Sequence, residues 1–168
     1  MPPVNNVTRF LDSHKVSYTV FETPAGKLGA LEVAQLLNLP LEVVFKTIVV
    51  TRDKPTLSAK GKKPVLAVVP GPSTVDLKSL AAFLGEKKVY LPTEREAEQL
   101  TGLQAGGISA LALINKGFQI VIDSAAQNYS EIHISGGQRG MNIKLPVADL
   151  VKLTNARIGS ICQKTDPF

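Results

Sequence analysis

Two apolar runs rich in β-branched residues constrain the fold of this chain more than any other feature. The first is FKTIVVT at residues 45–51, and the second is PVLAVV at residues 64–69. Short runs of this composition are typical of strands in a sheet. We therefore predict that the two runs pair as antiparallel strands, joined by the segment between them.

The rest of the chain divides into helix-like and strand-like segments without strict alternation. Apolar residues at helical spacing mark the helices, and Asp76 and the Thr93–Glu96 pair are typical starts of two of them. Helices are predicted at 4–11, 28–37, 77–84, 93–102 and 147–153, and strands at 18–23, 45–51, 64–69, 88–91, 120–123, 131–135, 141–145 and 157–161. This order predicts one α/β domain over residues 1–168, with a mixed sheet or partial barrel and helices packed outside.

Length and composition fit one soluble, intracellular domain. The chain has 168 residues, of which 44% are hydrophobic, and this is too apolar for a disordered protein. Its single cysteine excludes a disulfide framework and a multi-cysteine metal site. No apolar run approaches the ~20 residues that span a bilayer, and MPPVNNVTRF lacks the apolar stretch of a signal peptide. We expect a cytoplasmic protein that does not bind membranes.

Lys46 is the unusual residue of the first run. In a strand it shares a face with Ile48 and Val50. Its ammonium must extend to an edge of the sheet or face a polar cavity, because an unpaired buried charge is costly. A lysine in the second situation is suited to hold a carboxylate, carbonyl or phosphate oxygen. The residues alone leave both interpretations open.

Two glycine-containing loops are the next candidates for function. GLQAGGISA covers residues 102–110, and SGGQRGMN covers residues 135–142. Glycines let the backbone approach a ligand closely, and consecutive amides can stabilise negative charge on one oxygen. The alternative is that both loops are ordinary tight connections.

The common signatures of covalent and metal catalysis are absent. The sequence contains no HExxH, GxSxG, SxxK or Walker-type loop, and no GxGxxG follows its first strand. We predict His14 at the end of the first helix and His133 on the strand face away from Ile132 and Ile134. An enzyme of this composition is expected to work by positioning and backbone electrostatics, without a covalent side-chain nucleophile, and no cofactor is predicted.

Basic residues are concentrated in the segment 52–63. The whole chain has a net charge of +5, and this segment carries five Lys or Arg residues against one acidic residue, Asp53. Such a segment is either the solvated tip of a hairpin or a surface for a polyanion.

The order of these pieces resembles the YbaK-like aminoacyl-tRNA deacylases, relatives of the editing domain inserted in bacterial prolyl-tRNA synthetases. The segments that carry the resemblance are VVFKTIVV, LAVVPG before VDLKSLAAFLG, TGLQAGGIS, IVIDSAAQ and ISGGQRGMNIKLPVADLVKL. They cover nearly the whole chain. The resemblance implies a compact α/β fold around a highly curved mixed sheet. It also implies metal-independent trans-editing, in which the ester of a mischarged tRNA such as Cys-tRNA(Pro) or Ala-tRNA(Pro) is hydrolysed, with prolyl-tRNA synthetase as a candidate partner.

The resemblance also implies roles for individual residues. Lys46 matches the lysine that contacts the terminal adenosine or the ester, and Gly106 and Gly107 match the loop that cradles the aminoacyl carbonyl. The other predicted substrate contacts are Phe21, Ile108, Ser109, Ser135, Gly136, Gly137, Arg139 and Asn142. Lys60, Lys62 and Lys63 become candidates for contacts to the tRNA backbone.

Three positions depart from the family pattern. Ala110 replaces a typical proline, Phe21 replaces a frequent tyrosine, and Asn142 replaces a frequent aspartate. The amide of Asn142 keeps the capacity for hydrogen bonds but lacks the charge that could hold a substrate ammonium. Ala110 and Asn142 favour the alternative function, a non-catalytic module of the same fold that binds tRNA or a nucleotide.

Overall fold

The computed structural model describes residues 4–53 and 63–164, and these contain five α-helices and nine strands. The helices are α1 (Asn6–Ser13), α2 (Ala30–Leu37), α3 (Leu77–Leu84), α4 (Glu94–Thr101) and α5 (Val147–Thr154). The strands are β1 (Thr19–Glu22), β2 (Phe45–Val50), β3 (Val65–Pro70), β4 (Ser73–Val75), β5 (Gln119–Asp123), β6 (Glu131–Ser135), β7 (Met141–Pro146), β8 (Arg157–Gly159) and β9 (Cys162–Lys164). Short 3-10 helices cover Leu41–Val43, Leu111–Lys116 and Ser124–Asn128.

The larger sheet is mixed and has the strand order β2-β3-β5-β8. β2 and β3 are antiparallel, with Lys46 opposite Val69 and Val50 opposite Val65, as the two apolar runs predict. β3, β5 and β8 are parallel to one another. Every residue of β3 is buried, which is typical of a central strand covered on both faces.

Two smaller sheets complete the fold. One is antiparallel with the order β1-β7-β6, and the other is the ribbon β4-β9. The main core lies between the larger sheet and the β1-β7-β6 sheet, and includes Leu66, Ile122 and Ile143. A second core, with Val69, Leu80 and Ile161, lies on the other face of the larger sheet, under α3. None of the described helices is long and apolar enough to cross a bilayer.

Most of the predicted helices and strands are present, with ends shifted by a few residues. Asp76 caps α3 and the Thr93–Glu96 capping box opens α4, as predicted. Gly85 and Gly102 end these helices with positive φ angles. The predicted strand 88–91 is wrong, since that segment contributes only one bridge, from Tyr90 to Thr51. The last predicted strand ends at residue 159 rather than 161 because Ile161 turns into the second core.

Candidate functional site

A cleft of about 300 Å³ opens beside the first residues of β2. Its walls come from β2, from the segment that leads into α2, and from the two glycine loops found in the sequence. The predicted site residues that line it are Lys46, Gly106, Ile108, Ser135 and Asn142. Residues more than 90 positions apart along the chain therefore meet in one cavity.

Lys46 places a half-buried ammonium at this cleft. Its Nζ donates to the carbonyl of Gly71 at 3.4 Å, and no carboxylate of the described residues forms an ion pair with it. Partial burial lowers the pKa of Lys46, and its interaction with Cys162 acts in the opposite direction. Of the two interpretations of this lysine, the structure supports the polar cavity.

The first glycine loop contacts the other walls of the cleft through its backbone. Gly106 has φ +90°, and a Cβ there would lie 3.1 Å from the carbonyl oxygen of Gly26. A Cβ on Gly107 would lie 2.9 Å from the Cα of Gln138, in the second glycine loop. The Gly107 amide donates to the carbonyl of Gln104, whereas the amides of Gly106 and Ile108 donate to no described residue. Two residues that line the cleft, Gly106 and Ile108, therefore have amides without a partner among the described residues.

Ala105 is held from both sides by charged side chains. Its amide donates to Glu98 Oε2 at 2.8 Å, and its carbonyl accepts from Arg139 Nε at 2.7 Å. Arg139 thus joins the two glycine loops. It is not among the residues that line the cleft, so its observed contact is structural.

The second glycine loop is the hairpin turn between β6 and β7. Ser135 and Asn142 are opposite each other at its base. The Ser135 Oγ accepts from the Gly137 amide at 3.3 Å, and the Gly136 carbonyl accepts from the side chain of Asn5 at 2.9 Å. The alternative of an ordinary tight connection is therefore correct for the backbone of this loop, and the base of the hairpin also forms part of the cleft.

His133 and Asn142 form a buried hydrogen-bonded pair beside the cleft. His133 Nδ1 lies 2.9 Å from Asn142 Oδ1, and the two residues are 4% and 5% exposed. The Phe21 ring lies 5.2 Å from the imidazole, centre to centre. Burial lowers the pKa of His133, with a smaller opposing effect from its hydrogen bond to Asn142. His133 lies on the face away from Ile132 and Ile134, as predicted.

Several predicted site residues do not line the cleft. Phe21, Gly107, Gly136 and Gly137 are not among the residues that line it. Ser109 is fully buried, and its Oγ accepts from the Leu111 amide at the start of a 3-10 helix. Lys63 is exposed at the opposite end of β3, and Lys60 and Lys62 lie outside the described residues.

The sequence analysis missed one wall of the cleft completely. The segment that leads into α2 contributes Thr23, Gly26, Leu28 and Gly29, and the first turns of that helix contribute Ala30 and Val33. The signal was the sequence PAGKLG, in which two glycines separate a strand from a helix. Such a segment is also typical of an ordinary loop, so only its position in the folded protein shows that it forms a wall of the cleft.

Asp123 and Cys162 have structural partners outside the cleft. Asp123 accepts from the amides of Ala125 and Ile161, so it caps a turn. Burial raises the pKa of the Cys162 thiol to about 11, and its hydrogen bond to Asp123 adds to the effect. In residues 4–53 and 63–164 no three His, Cys, Asp or Glu side chains are grouped as metal ligands.

Comparison with known proteins shows the family to which the chain belongs. Residues 25–153 match the family model of the aminoacyl-tRNA editing domain. Because this match covers most of the chain, the protein belongs to the aminoacyl-tRNA editing domain family, as the sequence analysis predicted.

One curated relative supports the same assignment over nearly the full length of the chain. The chain is 35% identical over 161 residues to the proposed Cys-tRNA(Pro)/Cys-tRNA(Cys) deacylase EbsC of Enterococcus faecalis. The match covers 95% of this chain and 93% of that protein.

Two solved structures share the fold. The hypothetical protein APE2540 superposes with a TM-score of 0.82 at 20% identity, and the match covers 95% of this chain and all of that one. A proposed trans-editing enzyme for prolyl-tRNA synthetase superposes with a TM-score of 0.73 at 22% identity, covering 98% of this chain and all of that one. The predicted α/β fold with a mixed sheet is confirmed.

Proposed function

We propose that this protein hydrolyses the ester that joins a wrong amino acid to tRNA, with Cys-tRNA(Pro) as the leading substrate and Ala-tRNA(Pro) as the second. The observation that carries the proposal is the combination, in one cleft, of the Lys46 ammonium and the available amides of Gly106 and Ile108. A cation and two backbone donors around a small cavity are suited to an ester with an adjacent phosphate.

Lys46 holds the acceptor end of the tRNA in this proposal. Its ammonium has a carbonyl as its described partner and no competing carboxylate, so an incoming phosphate or ester oxygen gains a charge-assisted hydrogen bond. A lysine is a compact point charge and needs no bidentate geometry in its ligand.

The amides of Gly106 and Ile108 stabilise the oxyanion of the tetrahedral intermediate. Such donors act on the charge that develops in the transition state, and the loss of one typically costs ~10²–10³ in rate. Gly107 has a different role here, since its amide already donates to Gln104. We assign it to the close contact between the two glycine loops.

The attacking group comes from the substrate or from water. For a cysteinyl ester, the substrate thiol attacks its own carbonyl carbon, the bond to the ribose oxygen breaks, and that oxygen takes up the proton. Water then opens the resulting thiolactone to free cysteine. The protein's own Cys162 is unsuited to the attack, because burial raises the pKa of its thiol to about 11 and keeps it protonated.

The size of the cleft favours a small aminoacyl group. A volume of about 300 Å³ is at the lower end of the range for ligand pockets, ~300–1,000 Å³. Apolar wall residues such as Leu28, Val33 and Val44 suit a short, weakly polar side chain.

The tRNA body is proposed to contact a second surface, which we call the basic end. Its described residues are Arg52, Lys63, Lys87, Lys88 and Lys116, of which the four lysines are exposed. They lie together because β2 ends where β3 and β5 begin, with Val50 opposite Val65 and Val65 opposite Gln119. Prolyl-tRNA synthetase is the proposed source of the mischarged tRNA, in line with the name of one structural neighbour.

A panel of tRNA(Pro) molecules charged with Cys, Ala, Ser or Pro tests the proposal. Release of the amino acid is measured for each ester in excess enzyme. We expect Cys to be released fastest, Ala more slowly, and Pro no faster than in buffer. Equal release of all four at the buffer rate would overturn the proposed activity.

The second candidate function is a non-catalytic module that binds tRNA or a nucleotide. Asn142 favours it, because a neutral amide replaces the frequent carboxylate at the cleft. Tight binding of mischarged tRNA(Pro) without release of the amino acid would support this function over hydrolysis.

A further inference from the structure

His133 and Asn142 lie diagonally across the strand pair β6-β7, on the face that borders the cleft. In the register of these strands His133 is opposite Lys144, and Asn142 is opposite Ser135. His133 Nδ1 and Asn142 Oδ1 are 2.9 Å apart, and both residues are more than nine-tenths buried. Asn142 lines the cleft, while His133 does not. The imidazole therefore contacts the cleft through the asparagine.

The chemistry of this pair fixes the proton on His133. A carboxamide oxygen only accepts hydrogen bonds, so the Nδ1 of His133 must be the donor. Because burial lowers the pKa of His133, the neutral ring with its proton on Nδ1 is the form that makes this bond near pH 7. The Phe21 ring, 5.2 Å away, packs against the imidazole and limits its rotation.

The same bond fixes the orientation of the Asn142 amide. With Oδ1 bound to His133, only the Nδ2 group of Asn142 remains for other partners, and it donates to no described residue. No fully buried side-chain nitrogen or oxygen of the described residues lacks a partner. The Nδ2 group is therefore the accessible part of Asn142, at the wall of the cleft.

We infer that His133 is a positioning residue, which holds Asn142 so that its N–H groups face the cleft and select an acceptor oxygen of the substrate instead of its α-ammonium. This inference rests on the proposed function, because it assumes an aminoacyl ester in the cleft. The ester carbonyl and the ribose hydroxyl oxygen are acceptors, and an ammonium is a donor only. A carboxylate at position 142 would have the opposite preference.

The geometry is tested first, without any substrate. Long-range ¹H–¹⁵N NMR spectra of the ¹⁵N-histidine-labelled protein at pH 7 report which ring nitrogen of His133 carries the proton. We expect Nδ1–H in the wild type and a loss of this preference in Asn142→Leu. A proton on Nε2 in the wild type would overturn the inference, whatever the enzyme's activity.

The selectivity is tested with Ala-tRNA(Pro) and its N-acetylated form, which lacks the ammonium. The ratio of their kcat/KM values is measured for the wild type, His133→Leu, His133→Asn and Asn142→Asp. The ratio is used because loss of stability lowers both rates together and leaves it unchanged.

We expect the preference for the free amine to be about 10-fold or more greater in Asn142→Asp than in the wild type, since hydrogen bonds to charged groups are the stronger ones. His133→Leu frees the amide to turn and should shift the ratio in the same direction by a smaller factor. His133→Asn keeps a donor near the position of Nδ1 and should restore the wild-type ratio. An unchanged ratio in both His133→Leu and Asn142→Asp would overturn the inference. If no variant releases an amino acid, the proposed function fails, and the NMR result still decides whether His133 positions Asn142.

Discussion

Lys46, which lines the cleft, and its neighbour Cys162 are in different states of charge. Lys46 keeps a positive charge in a half-buried place with a carbonyl as its described partner. Cys162, which interacts with Lys46, stays uncharged, because burial raises the pKa of its thiol to about 11. The chain therefore has a cation that can bind a ligand, next to a protonated thiol that is a poor nucleophile.

Lys46→Ala should lower kcat/KM for Cys-tRNA(Pro) by about 100-fold or more, a loss comparable to that of one transition-state donor. Removal of the ammonium leaves the amides of Gly106 and Ile108 in place, so a residual rate above that in buffer should persist. Single-turnover release of cysteine measures the effect.

Lys152→Ala is the matched control for this change, since it removes an exposed lysine of α5 outside the cleft. Equal rates for Lys46→Ala and Lys152→Ala would remove Lys46 from the mechanism.

Cys162 should make the stability of the protein depend on pH in the alkaline range. The usual pKa of a thiol is 9.0, and in the folded protein it is about 11. Between these values the unfolded chain has lost the proton and the folded chain still holds it, so the contribution of Cys162 to the free energy of unfolding falls as pH rises from 9 towards 11. Urea unfolding at pH 8, 9 and 10 measures this fall.

Cys162→Ser keeps a hydroxyl hydrogen bond and removes the titration. The fall in the free energy of unfolding between pH 9 and 10 should be smaller in this variant than in the wild type. Parallel pH profiles for the two proteins would contradict the buried, protonated thiol.

At the scale of elements, the two glycine loops behave as one packed unit. Arg139 donates to the carbonyl of Ala105, and Gly107 contacts the backbone of Gln138 where no Cβ fits. The first loop leads into a 3-10 helix, which begins after Ala110. The shape of the cleft is therefore set by backbone contacts between segments that are far apart in sequence.

Ala110→Pro should stabilise the fold by about 0.4–1 kcal/mol, because it removes conformational freedom from the unfolded chain. Ala110 has φ −59°, within the range of proline, and its amide donates to no described residue. The midpoint of thermal unfolding measures the change.

Ala112→Pro is the control two residues later. Its amide donates to the carbonyl of Ser109 at 3.2 Å, so this substitution should lower the unfolding midpoint. If Ala110→Pro lowered the midpoint as much as Ala112→Pro, the prediction that the backbone conformation at Ala110 suits proline would be wrong.

The elements that could be predicted from the sequence are those with a local signal. β2 and β3 have long apolar runs, and α3 and α4 have capping residues, so both their type and their position followed from the residues. β4 and β9 have three residues each and exist only because they pair with each other, with Val75 opposite Cys162. His133 is similar: alternation gave its strand face correctly, but its partner Asn142 is set by the register of β6 and β7.

At the scale of the whole molecule, the cleft and the basic end lie at opposite ends of β2. Lys46 is the second residue of this strand, and Arg52 follows its last residue by two positions. Arg52 forms an ion pair with Glu86 at 3.2 Å, which ties the turn after β2 to the segment before Lys87. At roughly 3.3 Å per residue the two sites are about 20 Å apart.

Neutralisation of the basic end should weaken tRNA binding and reduce its dependence on salt. For Lys63→Gln combined with Lys116→Gln, the slope of log K against log salt concentration should fall by about 0.7–0.9 for each phosphate contact that is lost. Filter binding of uncharged tRNA(Pro) at 50–300 mM salt, roughly the range in which such contacts are screened, gives this slope.

Lys15→Gln combined with Lys152→Gln removes the same charge from exposed positions away from the basic end. An equal slope for the two double variants would indicate that the basic end is a solvated surface that does not contact tRNA.

The strand that connects the two sites has one further consequence. β2 is an uninterrupted, paired strand, so the distance between the cleft and the basic end is fixed as long as the sheet is intact. In the proposed complex, any adjustment must therefore come from the RNA, through its unpaired 3′ nucleotides. Trimming or extending that single-stranded tail should then change how well an acceptor stem is accepted, even when the amino acid attached to it stays the same.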